Sequence, residues 1–106
     1  MKPLTFFPAV LLLLVTASGL SAQRPDTDRL EASEGPVTIQ PVRHGTLVLS
    51  WNGITIYADP AGGAGAFQGI ESPDLVLITD IHGDHLSLET LNGLNMGSSV
   101  LVVPRA

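Results

Sequence analysis

Apolar and polar residues alternate in Val37–Val42 and again in Ile54–Tyr57, and a period of two predicts strands rather than helices. In Val37–Val42, Val37, Ile39 and Pro41 fall on one face and Thr38, Gln40 and Val42 on the other. Pro41 has no N–H for a ladder, which predicts that this strand lies at a sheet edge. Thr46–Trp51 and Ile54–Ala58 flank Asn52-Gly53, the pair that best tolerates positive φ, and predict a tight hairpin. Its second strand is expected to point Ile54 and Ile56 inward, and Asp59-Pro60 ends it. Leu75–Ile78 is a continuous apolar run between turn residues, as in a strand buried on both faces. Ser87 then fits a helix N-cap, with Leu86 and Leu91 as a hydrophobic staple and Leu88, Leu91 and Leu94 at helical spacing. Gly93 or Gly97 can end that turn, and Ser99–Val103 predicts a last strand before Pro104. The order, hairpin-rich β followed by β-loop-α-β, predicts an α/β (α+β) fold.

The N-terminal third reads differently. Lys2 is followed by an almost wholly apolar stretch from Leu4 to Leu20 and by small residues up to Ala22, the plan of a secretory signal peptide over residues 1–22. Cleavage after Ala22 predicts an exported product, periplasmic or secreted, beginning near Gln23; an uncleaved anchor is the other reading. No other apolar run is long enough to span a bilayer, so no membrane attachment is expected after cleavage. Residues 23–36 are polar, with Leu30 as the one large apolar side chain, and predict a flexible linker. Residues 37–106 then form the domain proper, small enough that one core is marginal without a staple or a partner.

Composition narrows the function. There is no cysteine, so packing, metal or partners must stabilise the chain, export notwithstanding. The formal charge is −5 and becomes −6 without Lys2, with Arg24, Arg29, Arg43 and Arg105 as the cations. Such a chain carries no footprint for nucleic acid. The glycine-rich stretch 61–69 lacks the Gly-Lys-Ser/Thr ending that a phosphate loop needs.

The informative segment is Thr79-Asp80-Ile81-His82-Gly83-Asp84-His85-Leu86, which holds two of the three histidines. It follows the buried strand and precedes the helix. Asp80 and His82, two apart in extended backbone, project to one side, and Gly83 lets the chain turn so that Asp84 and His85 face the same space. Carboxylate and neutral imidazole are ligands that Zn²⁺, Mn²⁺ or Fe²⁺ accept.

This segment resembles the H-x-H-x-D-H signature of the metallo-β-lactamase superfamily, with Asp80 at the first His position. The stretch from His44 through Leu47-Val48-Leu49 and Ile54–Pro60 is similar to the superfamily's opening strands. It looks most like the branch of ascorbate-phosphate lactonase and the phospholipid-cleaving members. The resemblance covers residues 37–106 and implies the N-terminal half of an αββα sandwich. It further implies Asp80 and His82 as ligands of one metal and Asp84 and His85 as ligands of a second, with zinc the expected ion. Asp84 would also orient the attacking water. A hydrolase of lactones, amides, phosphodiesters or β-lactams acting on a small-molecule substrate is thereby implied. The family takes a third His, a bridging Asp and a last His from later in a longer chain. After His85 this sequence has no His and no Asp, and Glu89 is its one acid. A missing C-terminal half or a homo-oligomer is therefore expected, and little turnover from this chain alone.

Other readings stand beside these. The Asp-His loop can be a solvated turn in which Asp84 caps a helix. His44-Gly45 can be a plain turn or support a ligand, and Asp59-Pro60 a strand terminator or a ligand, similar Asp residues near such a site ordering waters around it. Trp51 and Phe67 are most simply packing residues. A non-catalytic metal-binding or interaction module, a swapped dimer that buries its open sheet face included, and an inactive gene fragment are the rival functions.

Overall fold

The structure, a computed structural model, describes residues 2–4 and 24–105. The signal peptide expected at 1–22, with its cleavage after Ala22, falls outside the described residues except at Lys2–Leu4. Among the described residues no helix is long and apolar enough to cross a membrane.

Six strands form one mixed sheet in chain order: β1 (Asp28–Leu30), β2 (Val37–Arg43), β3 (Thr46–Trp51), β4 (Ile54–Ala58), β5 (Leu75–Leu77) and β6 (Val100–Val102). The first four are antiparallel neighbours, and β4, β5 and β6 run parallel. Parallel pairing needs crossovers. The first carries a 3-10 turn at Ala64–Phe67, and the second carries the Asp-His loop and helix α1 (Leu88–Gly93). Asn52 and Gly53 take φ of 47° and 76° and close the β3–β4 hairpin as the dipeptide predicts.

Residues 24–36 depart from the expected linker. Asp28–Leu30 pairs with Val37–Ile39 in an antiparallel register. The strand buries nothing, its three residues being exposed, so it left no hydrophobic signature to read. Backbone pairing and the Arg29–Glu31 ion pair at 2.7 Å accompany it instead. Pro41 is likewise not on an edge strand, because β2 lies between β1 and β3. β1 reaches only to Ile39, however, so at Pro41 the outer side of β2 is locally unpaired and the missing N–H breaks no ladder.

One face of the sheet carries the core. Val42, Val48, Tyr57, Val76 and Ile78 pack beneath Phe67 of the 3-10 turn and Leu91 of α1. The Tyr57 and Phe67 rings stack with centroids 4.8 Å apart, and the Tyr57 hydroxyl donates to the Glu71 carbonyl at 2.7 Å. Ser87 caps α1 as expected, accepting from the Thr90 N–H. Leu91 is buried, whereas Leu88 is 69% exposed and outside the apolar stripe assigned to it.

The opposite face inverts the expectation for β4. Thr55 and Tyr57 are the residues turned to the core, while Ile54 is exposed and Ile56 half-buried. Alternation alone identifies two faces but not which one a covering layer chooses; here α1 and the 3-10 turn choose the Tyr57 face. The register then aligns Ile39, Leu49, Ile56, Leu75 and Val100 in one row across five strands, and Pro41, Leu47, Ala58, Leu77 and Val102 in the next. Both rows are wholly apolar and half-buried to exposed. Leu75–Leu77 is accordingly covered on one face, at Val76, rather than on both.

Candidate metal centre

Because β4 and β5 are parallel neighbours, the residues that follow them emerge side by side at their carboxyl ends. Asp59 donates its N–H to the Leu77 carbonyl at 2.8 Å, and its own carbonyl accepts from the buried Thr46 hydroxyl at 2.6 Å. This pins Asp59 in a left-handed conformation, φ 48°, that few residues other than Gly, Asn and Asp adopt. Its carboxylate, 5% exposed, takes the Thr79 N–H on Oδ1 at 2.6 Å and the Thr79 hydroxyl on Oδ2 at 2.5 Å.

The loop then turns back. The N–H groups of His85 and Leu86 donate to the His82 carbonyl at 2.9 and 2.8 Å, a single helical turn that swings His85 over Asp59. His85 Nδ1 meets Asp59 Oδ2 at 2.9 Å. An ionised carboxylate accepts only, so Nδ1 carries the proton and the Nε2 lone pair is left free. That nitrogen faces Asp84 Oδ2 at 3.7 Å. The β2–β3 turn passes beside the same ring: a Cβ built on Gly45 would lie 3.7 Å from His85 Cε1.

These contacts set the electrostatics. Burial opposes ionisation of Asp59, but the hydrogen bonds from His85 and Thr79 outweigh it and hold the carboxyl below its ordinary range. The bond to Asp59 holds the His85 imidazole above its ordinary value, with Asp84 adding to it against the opposing desolvation. Asp80 is held low by the His82 backbone N–H, donating at 2.8 Å, and by the His82 ring. His82 Nδ1 bonds to that same Asp80 oxygen.

The four expected ligands thus come together as two pairs, Asp80 with His82 and Asp84 with His85, rather than around one point. Among the described residues no three His, Asp or Glu side chains converge as a metal site. The donor chemistry still suits a divalent cation. His85 is oriented from behind by a carboxylate, the usual arrangement for a metal-binding imidazole, and it presents Nε2 beside an exposed carboxylate. Asp59, expected as a strand terminator rather than a ligand, instead stands behind His85 as its hydrogen-bond partner. Its signal was available: an acid ending one strand, followed within the same fold by a strand that ends in the ligand loop.

A mixed sheet with Asp and His donors gathered at the carboxyl ends of its parallel strands defines an α/β protein with a candidate metal centre. Within that class, residues 38–105 match the family described as "Beta-lactamase superfamily domain", more than half of the chain, and the chain belongs to the metallo-β-lactamase superfamily. Its fold is similar to that of a crystal structure from Parabacteroides distasonis ATCC 8503 under the name "Putative metal-dependent hydrolase". The TM-score is 0.66 at 24% identity, over 76% of this chain and 37% of that one. The chain thus spans little more than a third of that protein's length. No curated protein matches it.

Proposed function

We propose that this chain supplies the ligand loop of a metal-dependent hydrolase, with Asp84 and His85 holding one divalent cation and Asp80 and His82 serving a second. Zinc suits the imidazole-carboxylate set best, and Mn²⁺ or Fe²⁺ fit the same donors. The observation that carries the reading is the Asp59–His85 bond, which fixes the tautomer and the aim of a ring beside Asp84. A cation bound there would polarise the scissile group and bring a bound water's pKa to about 7. The protein's own part is positional. Asp59 holds the Nδ1 proton of His85, and Asp84 would help hold the cation and orient the attacking water. The substrate is a small molecule with an ester, lactone, amide or phosphodiester bond.

The two apolar rows on the sheet's second face support an αββα arrangement in which another sheet layer packs there. That layer, from a C-terminal half or from a second copy, would bring the further ligands. The reading extends to export, with a mature start near Gln23, which N-terminal sequencing of a periplasmic or secreted fraction tests directly.

A second reading is a non-catalytic metal-binding or interaction module, favoured by the pairwise arrangement of the donors. Turnover assays with Zn²⁺ or Mn²⁺ on lactone, phosphodiester and β-lactam substrates separate the two. The chain should be tested alone and mixed with a C-terminal half of the superfamily domain. Little turnover alone and chelator-sensitive turnover in the mixture, abolished by His85→Ala, supports the hydrolase. Metal binding without turnover in any mixture supports the module.

A further inference from the structure

A groove of about 1040 Å³ lies on the side of the sheet reached by the β2–β3 turn, lined by Arg24, Arg43, His44 and the backbone of the glycine-rich loop. Its position ties it to the candidate metal centre. His44 is on its wall, and the next residue, Gly45, borders the His85 ring.

Its charge stands against that of the whole chain. Two of the four arginines beyond Lys2 line this one groove in a protein of formal charge −5, and Asp26 is the one carboxylate among the lining residues. Arg24 donates one N–H to the Ala66 carbonyl at 3.0 Å, which anchors it to the loop and leaves its other donors for a ligand. Among the described residues no carboxylate pairs with Arg43.

The placement of Arg43 is built into the backbone. Its side chain lies across Gly62, where a Cβ would come within 2.5 Å of Arg43 Cδ and 2.8 Å of Nη1. Gly62 has φ 94°, so both the conformation and the close approach require glycine. The glycine-rich loop, which lacks the lysine of a phosphate cradle, thus admits an arginine instead.

We propose that this groove binds an oxyanion, a phosphate or carboxylate group, and that the substrate processed at the adjoining metal centre is anionic, its charged end held by Arg43 and Arg24. The substrate part rests on the hydrolase reading; the anion site does not. Paired guanidinium groups suit planar or tetrahedral oxyanions because they donate two parallel N–H bonds each. In this arrangement His44 would stand between the anchored anion and the scissile bond.

The test uses the full chain with chelator present, so that it is independent of metal binding. Inorganic phosphate and acetate are titrated separately, followed by the backbone amide signals of Arg43–Gly45 and Gly62–Gly65. Saturable shifts are expected for at least one of the two, and the tighter anion identifies the group. Arg43→Gln and Arg24→Gln should each weaken binding about tenfold, the loss of one charge-assisted contact. Arg43→Lys should restore part of the loss, and Gly62→Ala should weaken binding by displacing Arg43. Arg29→Gln, in an exposed arginine paired with Glu31, should leave it unchanged. No saturable shift with either anion, or an equal loss in Arg29→Gln, would overturn the proposal. Zinc titration of Arg43→Gln, expected to match wild type, distinguishes failure of the groove from failure of the metal centre.

Discussion

Replacing Asp59 by Asn removes a charge from behind His85 while keeping the shape, the tolerance of positive φ and one acceptor oxygen. Replacing it by Ala removes everything. In the Ala variant the Thr79 N–H and hydroxyl both lose their partner. At about 1.5–3 kcal/mol for a hydrogen bond to a charged group, that is roughly 3–6 kcal/mol, as large as the about 3–5 kcal/mol that a core this small supplies. Asp59→Ala should therefore unfold much of the chain, whereas Asp59→Asn should fold with a loss of about 1–2 kcal/mol.

The pH dependence gives the sharper test. The Asp59 carboxyl is held low, so its contribution to stability is present above the ordinary carboxylate pKa and is lost as pH falls through the folded value. The His85 imidazole is held high, so its contribution is complete below its ordinary pKa and is lost as pH rises through the folded value. The metal-free protein should thus be most stable between about pH 4 and 6.5, the ordinary values of the two groups. Thermal unfolding in chelator from pH 2.5 to 9 should show that maximum in wild type and a flatter profile in Asp59→Asn. His85 Hε1, followed by NMR, should titrate at lower pH in the variant. Zinc affinity should fall about 10- to 100-fold with the lost support. An unchanged His85 titration in Asp59→Asn would refute the argument that the carboxylate sets the ring's state.

Other consequences are more local. Ser87→Ala removes the cap from α1 and should cost about 1 kcal/mol in urea unfolding. Thr90→Val should cost about 1–3 kcal/mol, because Thr90 Oγ1 accepts from the Gly63 N–H at 2.9 Å and Thr90 is fully buried. On the sheet, Val76→Ala on the covered face should cost about 2 kcal/mol by the lost burial and the cavity left. Ile56→Lys on the other face should cost under about 1 kcal/mol in dilute protein. If a second copy packs there, the wild type's unfolding midpoint will rise with protein concentration and that of Ile56→Lys will not. A large, concentration-independent loss in Ile56→Lys would show that the face is covered within the chain.

The sequence made the β2, β3 and β4 strands legible because β2 and the start of β4 alternate and Asn52-Gly53 marks a tight turn between β3 and β4. It also made the ligand loop legible, since four donors within six residues follow a buried strand and precede a capped helix. What it hid has three physical causes. β1 is held by backbone pairing and by polar bonds from the residues beside it, and Asp28, Arg29 and Leu30 bury nothing that a pattern could register. The choice of face in β4 depends on which side α1 crosses, a tertiary fact that the alternation of Ile54, Thr55, Ile56 and Tyr57 does not contain. The role of Asp59 depends on β4 and β5 being parallel neighbours, which places it against Thr79 and His85 across 20 and 26 residues of chain. The spacing of the four donors predicts that they face one space, whereas Asp80 is tied to His82 by hydrogen bonds and Asp84 stands 3.7 Å from His85.

The proposed hydrolase role requires that the Asp80–His85 loop bind a divalent cation through His85 and its neighbours. Its most direct test is zinc titration of the full chain, followed by the ring signals of His44, His82 and His85, with His82→Ala and His85→Ala alongside. Saturable shifts are expected at His82 and His85 but not at His44, reversed by chelator and clearly weakened in both variants. Equal zinc affinity in wild type and both variants would contradict it.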